Sequence, residues 1–227
     1  MKRAAILGMM LLAYAQIGFA EMYVDKSIVT FEPGQPPRQD VRVSNSGSDV
    51  MYVQVETFVV KDPGTASEER VLVTNPQEGK LVASPNKLVI PPGGHKLVRI
   101  LNLDPKSAEE RIYRINVTPI APPLEEQTSQ LRIVVAYQVL TIVQPAEPHT
   151  KLEVSRTGKQ VTFTNQGNTN ILLSDGRQCS QADPTACKTL DSHRIYAGSS
   201  WALELPYDAP LSYSVRSFDG IKNEVFP

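Results

Sequence analysis

What most limits the folds open to this chain is residues 131–143, LRIVVAYQVLTIV, a run that is apolar on two sides at once. It reads as one long β-strand. Side chains alternate across a strand, so Leu131, Ile133, Val135, Tyr137 and Val139 share one face. Arg132, Val134, Ala136, Gln138 and Leu140 share the other. One apolar row can fill the chain's own core. The second row, tipped with Tyr137, needs another partner, such as a second protein.

The first 20 residues stand apart from the fold. Lys2 and Arg3 make a basic start, residues 4–15 are a short apolar run, and Gly18-Phe19-Ala20 places small residues at a cleavage point. This is the pattern of a secretory signal peptide cut after Ala20. The rival reading, a retained anchor, needs an apolar run of about 20 residues, which is absent. No later stretch is long and apolar enough to cross a bilayer, so no membrane insertion is expected. Cleavage takes the 227 residues to 207, and loss of Lys2 and Arg3 takes the formal charge from −1 to −3. A mildly acidic chain without a basic tail is a poor partner for nucleic acid. The two cysteines, Cys179 and Cys187, would meet an oxidising compartment after export, so a disulfide is expected. Closing so small a loop contributes roughly 2–3 kcal/mol.

Short β-branched runs recur along the chain, separated by Gly, Pro, Asn, Asp and Ser. That spacing predicts an all-β protein of two immunoglobulin-like sandwiches. Strands are expected at residues 22–31, 39–45, 52–61, 87–90, 95–101, 111–119 and 131–143. A single helical turn is expected at 105–110. Gln144-Pro145-Ala146-Glu147-Pro148 stops the last ladder and makes a stiff linker. Further strands are expected at 151–155, 160–165, 171–174, 191–196, 200–205 and 212–217, with a last run to Phe226. The divisions are therefore 1–20 for the signal, 21–145 for the first sandwich and 146–227 for the smaller second one. A domain of that size has little core, which gives the cystine a structural purpose, and Trp201 reads as a core aromatic.

An enzyme reading finds no catalytic residues to rest on. His95, His149 and His193 lie in no metal-ligand spacing, and no nucleophile elbow or P-loop is present. No metal and no cofactor are implied. Glu68-Glu69, Glu109-Glu110 and Glu125-Glu126 read as solvated loop pairs. Arg114, between Tyr113 and Ile115 in a strand that otherwise reads as core, has two readings. It is either an exposed strand arginine paired with a neighbouring Glu, or an anion clamp in the cleft between the sandwiches. The planar guanidinium fork suits the second role, because it grips a carboxylate with two parallel hydrogen bonds.

The order VDKSIVTF, VRVSN, LVASPNKLVIPPGGHKLVRI, RIYRINVTPIAPP, a polar loop, the alternating strand with its proline stop and a short second β-domain resembles the periplasmic chaperones of the chaperone–usher pathway. The most specific pieces are IPPGG-x-K-x-x-R and Tyr113-x-x-Asn116 followed by Pro122-Pro123. The resemblance spans the whole mature chain. It implies two Ig-like domains in a boomerang arrangement, export to the periplasm, pilus or fimbrial subunits and an outer-membrane usher as partners, and no enzymatic activity. It also implies donor-strand complementation: the G strand fills the gap in a subunit that lacks its own last strand. The plugging row is then Leu131, Ile133, Val135, Tyr137 and Val139.

In the best-known branch of that family a basic pair holds the subunit's C-terminal carboxylate. Those positions align here with Ile28 and Leu140, so both charges are missing. The Tyr113-Arg114 pair and the second-domain cysteines are more similar to the alternate, colonisation-factor-type and archaic branches. An anchor must then come from elsewhere: Arg114 first, and Lys26, two residues before Ile28 on the same expected strand face, second. An exposed apolar strand also risks self-pairing, so a self-capping dimer is a further expectation. Two other classes stay open: a structural fimbrial subunit or adhesin with Ig-like domains, and an exported carbohydrate-binding module.

Overall fold

The computed structural model describes residues 22–120 and 134–227. Leu131 and Ile133 lie outside the described residues. Two β-sandwiches follow one another along the chain.

The first is built from β1 (Met22–Val24), β2 (Ile28–Phe31), β3 (Arg38–Asn45), β4 (Met51–Lys61), β5 (Glu69–Leu72), β6 (Leu81–Ser84), β7 (Lys87–Ile90), β8 (His95–Asn102), β9 (Arg111–Pro119) and β10 (Tyr137–Val143). One sheet has the order β1-β3-β8-β6; the other runs β2-β10-β9-β4-β5, with β7 also on β4. Their inner faces enclose Val43, Val53, Leu81, Ile90, Ile100 and Tyr113, all at 0 % exposure. The alternating burial of β4 shows why this segment is a strand: every second residue enters that core.

The expected single strand over 22–31 is two strands in different sheets. Asp25 makes the break. Its N–H donates to the Arg42 carbonyl at 3.1 Å and its carboxylate accepts from the Arg42 N–H at 2.7 Å. The chain then leaves β3 and joins β10 in parallel register, Leu140 opposite Ile28. Lys26 therefore sits on a crossover, and the strand face it was expected to share with Ile28 does not exist. The helical turn expected at 105–110 is a series of turns and bends. The short helix is instead α1 (Pro76–Gly79), capped by the Asn75 side chain, which accepts from the Gln77 N–H at 3.1 Å.

The second sandwich has β11 (Leu152–Thr157), β12 (Gln160–Asn165), β13 (Ile171–Cys179), β14 (Cys187–Leu190), β15 (His193–Ile195), β16 (Ser200–Glu204), β17 (Leu211–Ser217) and β18 (Gly220–Phe226). Its sheets are β11-β12-β16 and β14-β13-β17-β18, with β15 on β13. Trp201 stacks on Phe163 with ring centroids 5.8 Å apart, at the margin of that core. β13 runs five residues past its expected end. The strand does not stop at Ser174 but passes through a bulge: Asp175 takes φ 54° and the register shifts between Ser174 and Arg177. Gly176 is required there, because a Cβ would lie 2.3 Å from the Tyr213 ring.

Candidate binding edge and cleft

β10 is paired with β9 along its whole length, from Tyr137 opposite Val117 to Val143 opposite Arg111. On its other flank β2 begins only at Leu140, whose N–H donates to the Ser27 carbonyl at 2.9 Å. Residues 137–139 therefore have one flank that no strand among the described residues covers. Upstream, Val134 is 46 % and Val135 41 % exposed, and neither belongs to a strand.

The facing of β10 differs from expectation. Val139 is buried in the chain's own core, and Tyr137 packs half-buried against the same cluster. Val139 is thus a root of the strand and not part of an open row. Leu140 and Ile142, on the opposite face, are also buried. They pack with Val60, Ile112 and Tyr196, and Tyr196 belongs to the second sandwich. The second apolar face of β10 is covered from within the molecule, because β10 forms part of the contact between the sandwiches. What remains uncovered is the approach to the strand.

Arg114 lies on that same inter-sandwich face. The registers place Leu72, Phe58, Arg114, Leu140 and Ile28 in one row across five strands. A guanidinium thus stands in the middle of an apolar row whose ends, Leu72 and Ile28, are exposed. Its Nε is buried with no hydrogen-bond partner among the described residues. The expected pairing with a neighbouring Glu is not made among the described residues. Glu68 feels the charge of Arg114, but it accepts from the Gly64 N–H at 3.0 Å and from Arg70 at 2.9 Å. The Gly64 bond, then Arg70, with Arg114 contributing, hold Glu68 below the usual carboxylate range. The second sandwich adds two more cations, Arg194 and Arg216, opposite Leu172 on either side. Burial lowers the Arg194 pKa, and the charges of Arg216 and Arg114 act in the same direction. Three guanidinium groups thus come to this junction, Arg114 and Arg194 half-buried and Arg216 exposed, with Glu68 and Glu110 acting on the same groups; the planar fork of Arg114 suits an incoming carboxylate.

Lys26 is not brought to Arg114. Its ammonium donates to the Asp40 carbonyl at 2.8 Å, beside the four-stranded sheet. Cys179 and Cys187 form a disulfide between cross-strand neighbours of β13 and β14.

One residue of the cleft escapes the sequence reading. Glu110, expected in a solvated pair, is half-buried. Its Oε2 accepts from the Thr169 hydroxyl at 2.8 Å, the Asn170 N–H at 2.9 Å and the Asn170 side-chain amide at 2.5 Å. Arg194 in turn donates to the Asn170 side chain. Only Glu110 of the Glu109-Glu110 pair is used in this way, and single-sequence charge patterning cannot tell the two apart.

The sequence pattern described as "Pili and flagellar-assembly chaperone, PapD N-terminal domain" matches residues 21–149. An Escherichia coli protein that carries the name of a CS1 fimbrial subunit is 30 % identical over 192 residues, which is 79 % of this chain and 79 % of that one. Among solved structures, the class 5 fimbriae chaperone CfaA is similar with a TM-score of 0.68 at 21 % identity, covering 91 % of this chain and 99 % of that one. A chain from the Salmonella enterica complex of the SafA pilin with the SafB chaperone is similar with a TM-score of 0.65 at 13 % identity, covering 92 % and 97 %. At these identities the structural likenesses speak for a shared fold of two Ig-like domains.

Proposed function

The chain belongs to the family of pili and flagellar-assembly chaperones, and from that premise we propose that it holds fimbrial subunits in the periplasm by donating the segment that leads into β10, then passes them to an outer-membrane usher. The observation that carries this reading is the uncovered flank of residues 137–139, directly downstream of exposed Val134 and Val135. An extended segment of this kind adds to a sheet edge through main-chain hydrogen bonds, while alternate side chains fill pockets. Leu131, Ile133, Val135 and Tyr137 are the proposed plugs, with buried Val139 pinning the base of the row. Each burial contributes about 1.5–3 kcal/mol before ordering costs. Arg114 is the proposed carboxylate anchor. No cofactor is needed, since better packing in the fibre can drive strand exchange.

The E. coli relative has the name of a fimbrial component, which keeps a structural role in view. A pilus subunit short of its last strand would leave the place between β2 and β9 empty, whereas β10 of this chain occupies it. A carbohydrate module is disfavoured by Trp201, whose ring is stacked between Phe163 and His193.

Co-expression with the fimbrial subunit encoded in a neighbouring gene tests the proposal. The subunit should be recovered from periplasmic extracts only with this chain, and should be lost with Val135→Asp or Ile133→Asp. Undiminished recovery with both variants would overturn strand donation.

A further inference from the structure

β18 is the last strand of its sheet and is paired on one side only, with β17. Its second flank is a seven-residue row of backbone groups, Gly220–Phe226, with no strand beside it among the described residues. Val225, at 74 %, is the most exposed large apolar side chain among the described residues, and Ile221 follows at 59 %. Both project from the outer face, since their partners across the hairpin are Ser212 and Arg216, while Lys222, Glu224 and Phe226 face the side of Val215, Tyr213 and Leu211.

An open edge with two exposed apolar side chains is an invitation to pair. The sequence of β18 names the partner it fits. Asn223 is the central residue of the strand, with three residues on each side. When a second β18 lies antiparallel in the register that uses the full length of both strands, each Asn223 faces its own copy. Ile221 then lies opposite Val225 of the other copy, and Lys222 opposite its Glu224. The same two pairs recur on the far side of the axis. Apolar pairs fall on one face and opposite charges on the other, in the one register that also gives maximal backbone overlap. We infer that two copies of this chain associate through β18, as an isologous two-fold contact that joins their second sandwiches into one continuous sheet. Lys222 on an open edge would ordinarily act as a guard against pairing; in this register its charge is met by Glu224 of the second copy. The contact is distinct from the β10 edge and does not rest on the chaperone reading.

A single edge-to-edge strand pair is a small interface, so the dimer should be weak and concentration-dependent. Sedimentation equilibrium of the exported chain, at concentrations up to about 1 mM, measures it. Lys222→Glu and Glu224→Lys should each raise the dissociation constant about tenfold or more by setting like charges opposite one another. The double reversal should restore the original value, which a merely unfolded edge would not do. Val225→Lys should leave the chain monomeric. In air, Asn223→Cys should cross-link two copies and Lys222→Cys should not, because only the residue on the axis meets itself. A chain that stays monomeric throughout overturns the inference. So does a dimer indifferent to the charge reversals, as expected of copies meeting at β10, and so does a dimer that cross-links at 222 in place of 223. Subunit recovery in co-expression should be unchanged by Val225→Lys.

Discussion

Glu110 Oε2 accepts the Asn170 backbone N–H at 2.9 Å, joining the loop before β9 of the first sandwich to the residue before β13 of the second. The Thr169 hydroxyl and the Asn170 side chain complete the contact. With the apolar contact of Tyr196 against Leu140 and Ile142, this fixes how the two sandwiches meet.

Burial raises the Glu110 pKa above its ordinary 4.5, and the bonds from Asn170 and Thr169 offset this only in part. A carboxyl raised in the folded state binds its proton more tightly there than in the unfolded chain. Its ionised form thus costs stability above the folded pKa, and that cost fades as pH falls towards 4.5. Asp40, Glu68 and Asp183 have lowered values and act oppositely, adding stability that is lost as pH falls. Glu110→Gln leaves those three in place, so the difference between the two proteins isolates Glu110. Urea midpoints at pH 7 and pH 5 should show the parent gaining on Glu110→Gln as pH falls. A constant difference would show that Glu110 does not titrate in this window.

Arg114 and Lys26 should separate cleanly in subunit capture. Arg114 Nε is buried with no hydrogen-bond partner among the described residues, whereas Lys26 is engaged with the Asp40 carbonyl on another sheet. Losing one partner of a desolvated charge pair costs roughly 2–5 kcal/mol. Arg114→Ala should therefore weaken subunit binding by more than about tenfold, with Arg114→Lys in between because one fork of hydrogen bonds is lost. Lys26→Ala should stay within about twofold of the parent, as for an exposed polar contact. Titration calorimetry against a peptide of the subunit's C-terminus gives both values. The reverse order would move the anchor to Lys26.

Much of the fold is legible in the sequence where one face alternates cleanly. Residues 87–90, 111–119 and 160–165 are strands with the expected ends. β5, β6 and β14 are not legible: they are four residues long, as β7 is, but none of them alternates between buried and exposed as β7 does. The break at Asp25 and the bulge at Asp175 look like continuation and termination respectively, and only sheet partners reveal otherwise. At the site, β10 is apolar on both faces, with Val139 and Leu140 buried on opposite sides, but sequence cannot tell which face meets the chain's own second sandwich. Tyr196 decides that, 56 residues after Leu140. Glu110 is illegible for the same reason: its partners lie 59 and 60 residues away.

The Cys179–Cys187 bond closes a sequence separation of 8 residues. It ties β14, an outer strand, to β13, whose bulge already interrupts the pairing on its other side. Chain-entropy reasoning for such a loop gives about 2–3 kcal/mol. Cys179→Ala/Cys187→Ala should lower stability by that amount and lower Tm by several degrees, read by thermal unfolding with the parent as reference. An unchanged Tm would show that β14 stays docked without the bond.

Asn45 and Asn165 perform the same task in the two sandwiches. Asn45 is 2 % and Asn165 0 % exposed. Each side-chain amide donates to two carbonyls: Asp49 and Ile90 for Asn45, Thr169 and Ile195 for Asn165. Each side-chain oxygen accepts from the glycine two residues on, Gly47 or Gly167, at 2.9 Å. Truncating either to Ala leaves these carbonyls without their donor, those of buried Ile90, Thr169 and Ile195 among them, and should cost about 2–4 kcal/mol by urea unfolding. The two should differ in reach. Asn165 holds the Thr169 carbonyl, and Thr169 is a donor to Glu110, so the cystine-bearing sandwich communicates with the first through this turn. The bonds of Asn45 stay within the first sandwich. A double-mutant cycle of Asn165→Ala with Glu110→Gln should therefore depart from additivity by more than about 0.5 kcal/mol, and the cycle of Asn45→Ala with Glu110→Gln should not. Additivity in both cycles would mean that the Thr169 turn keeps its shape without Asn165 and that Glu110 alone sets the junction.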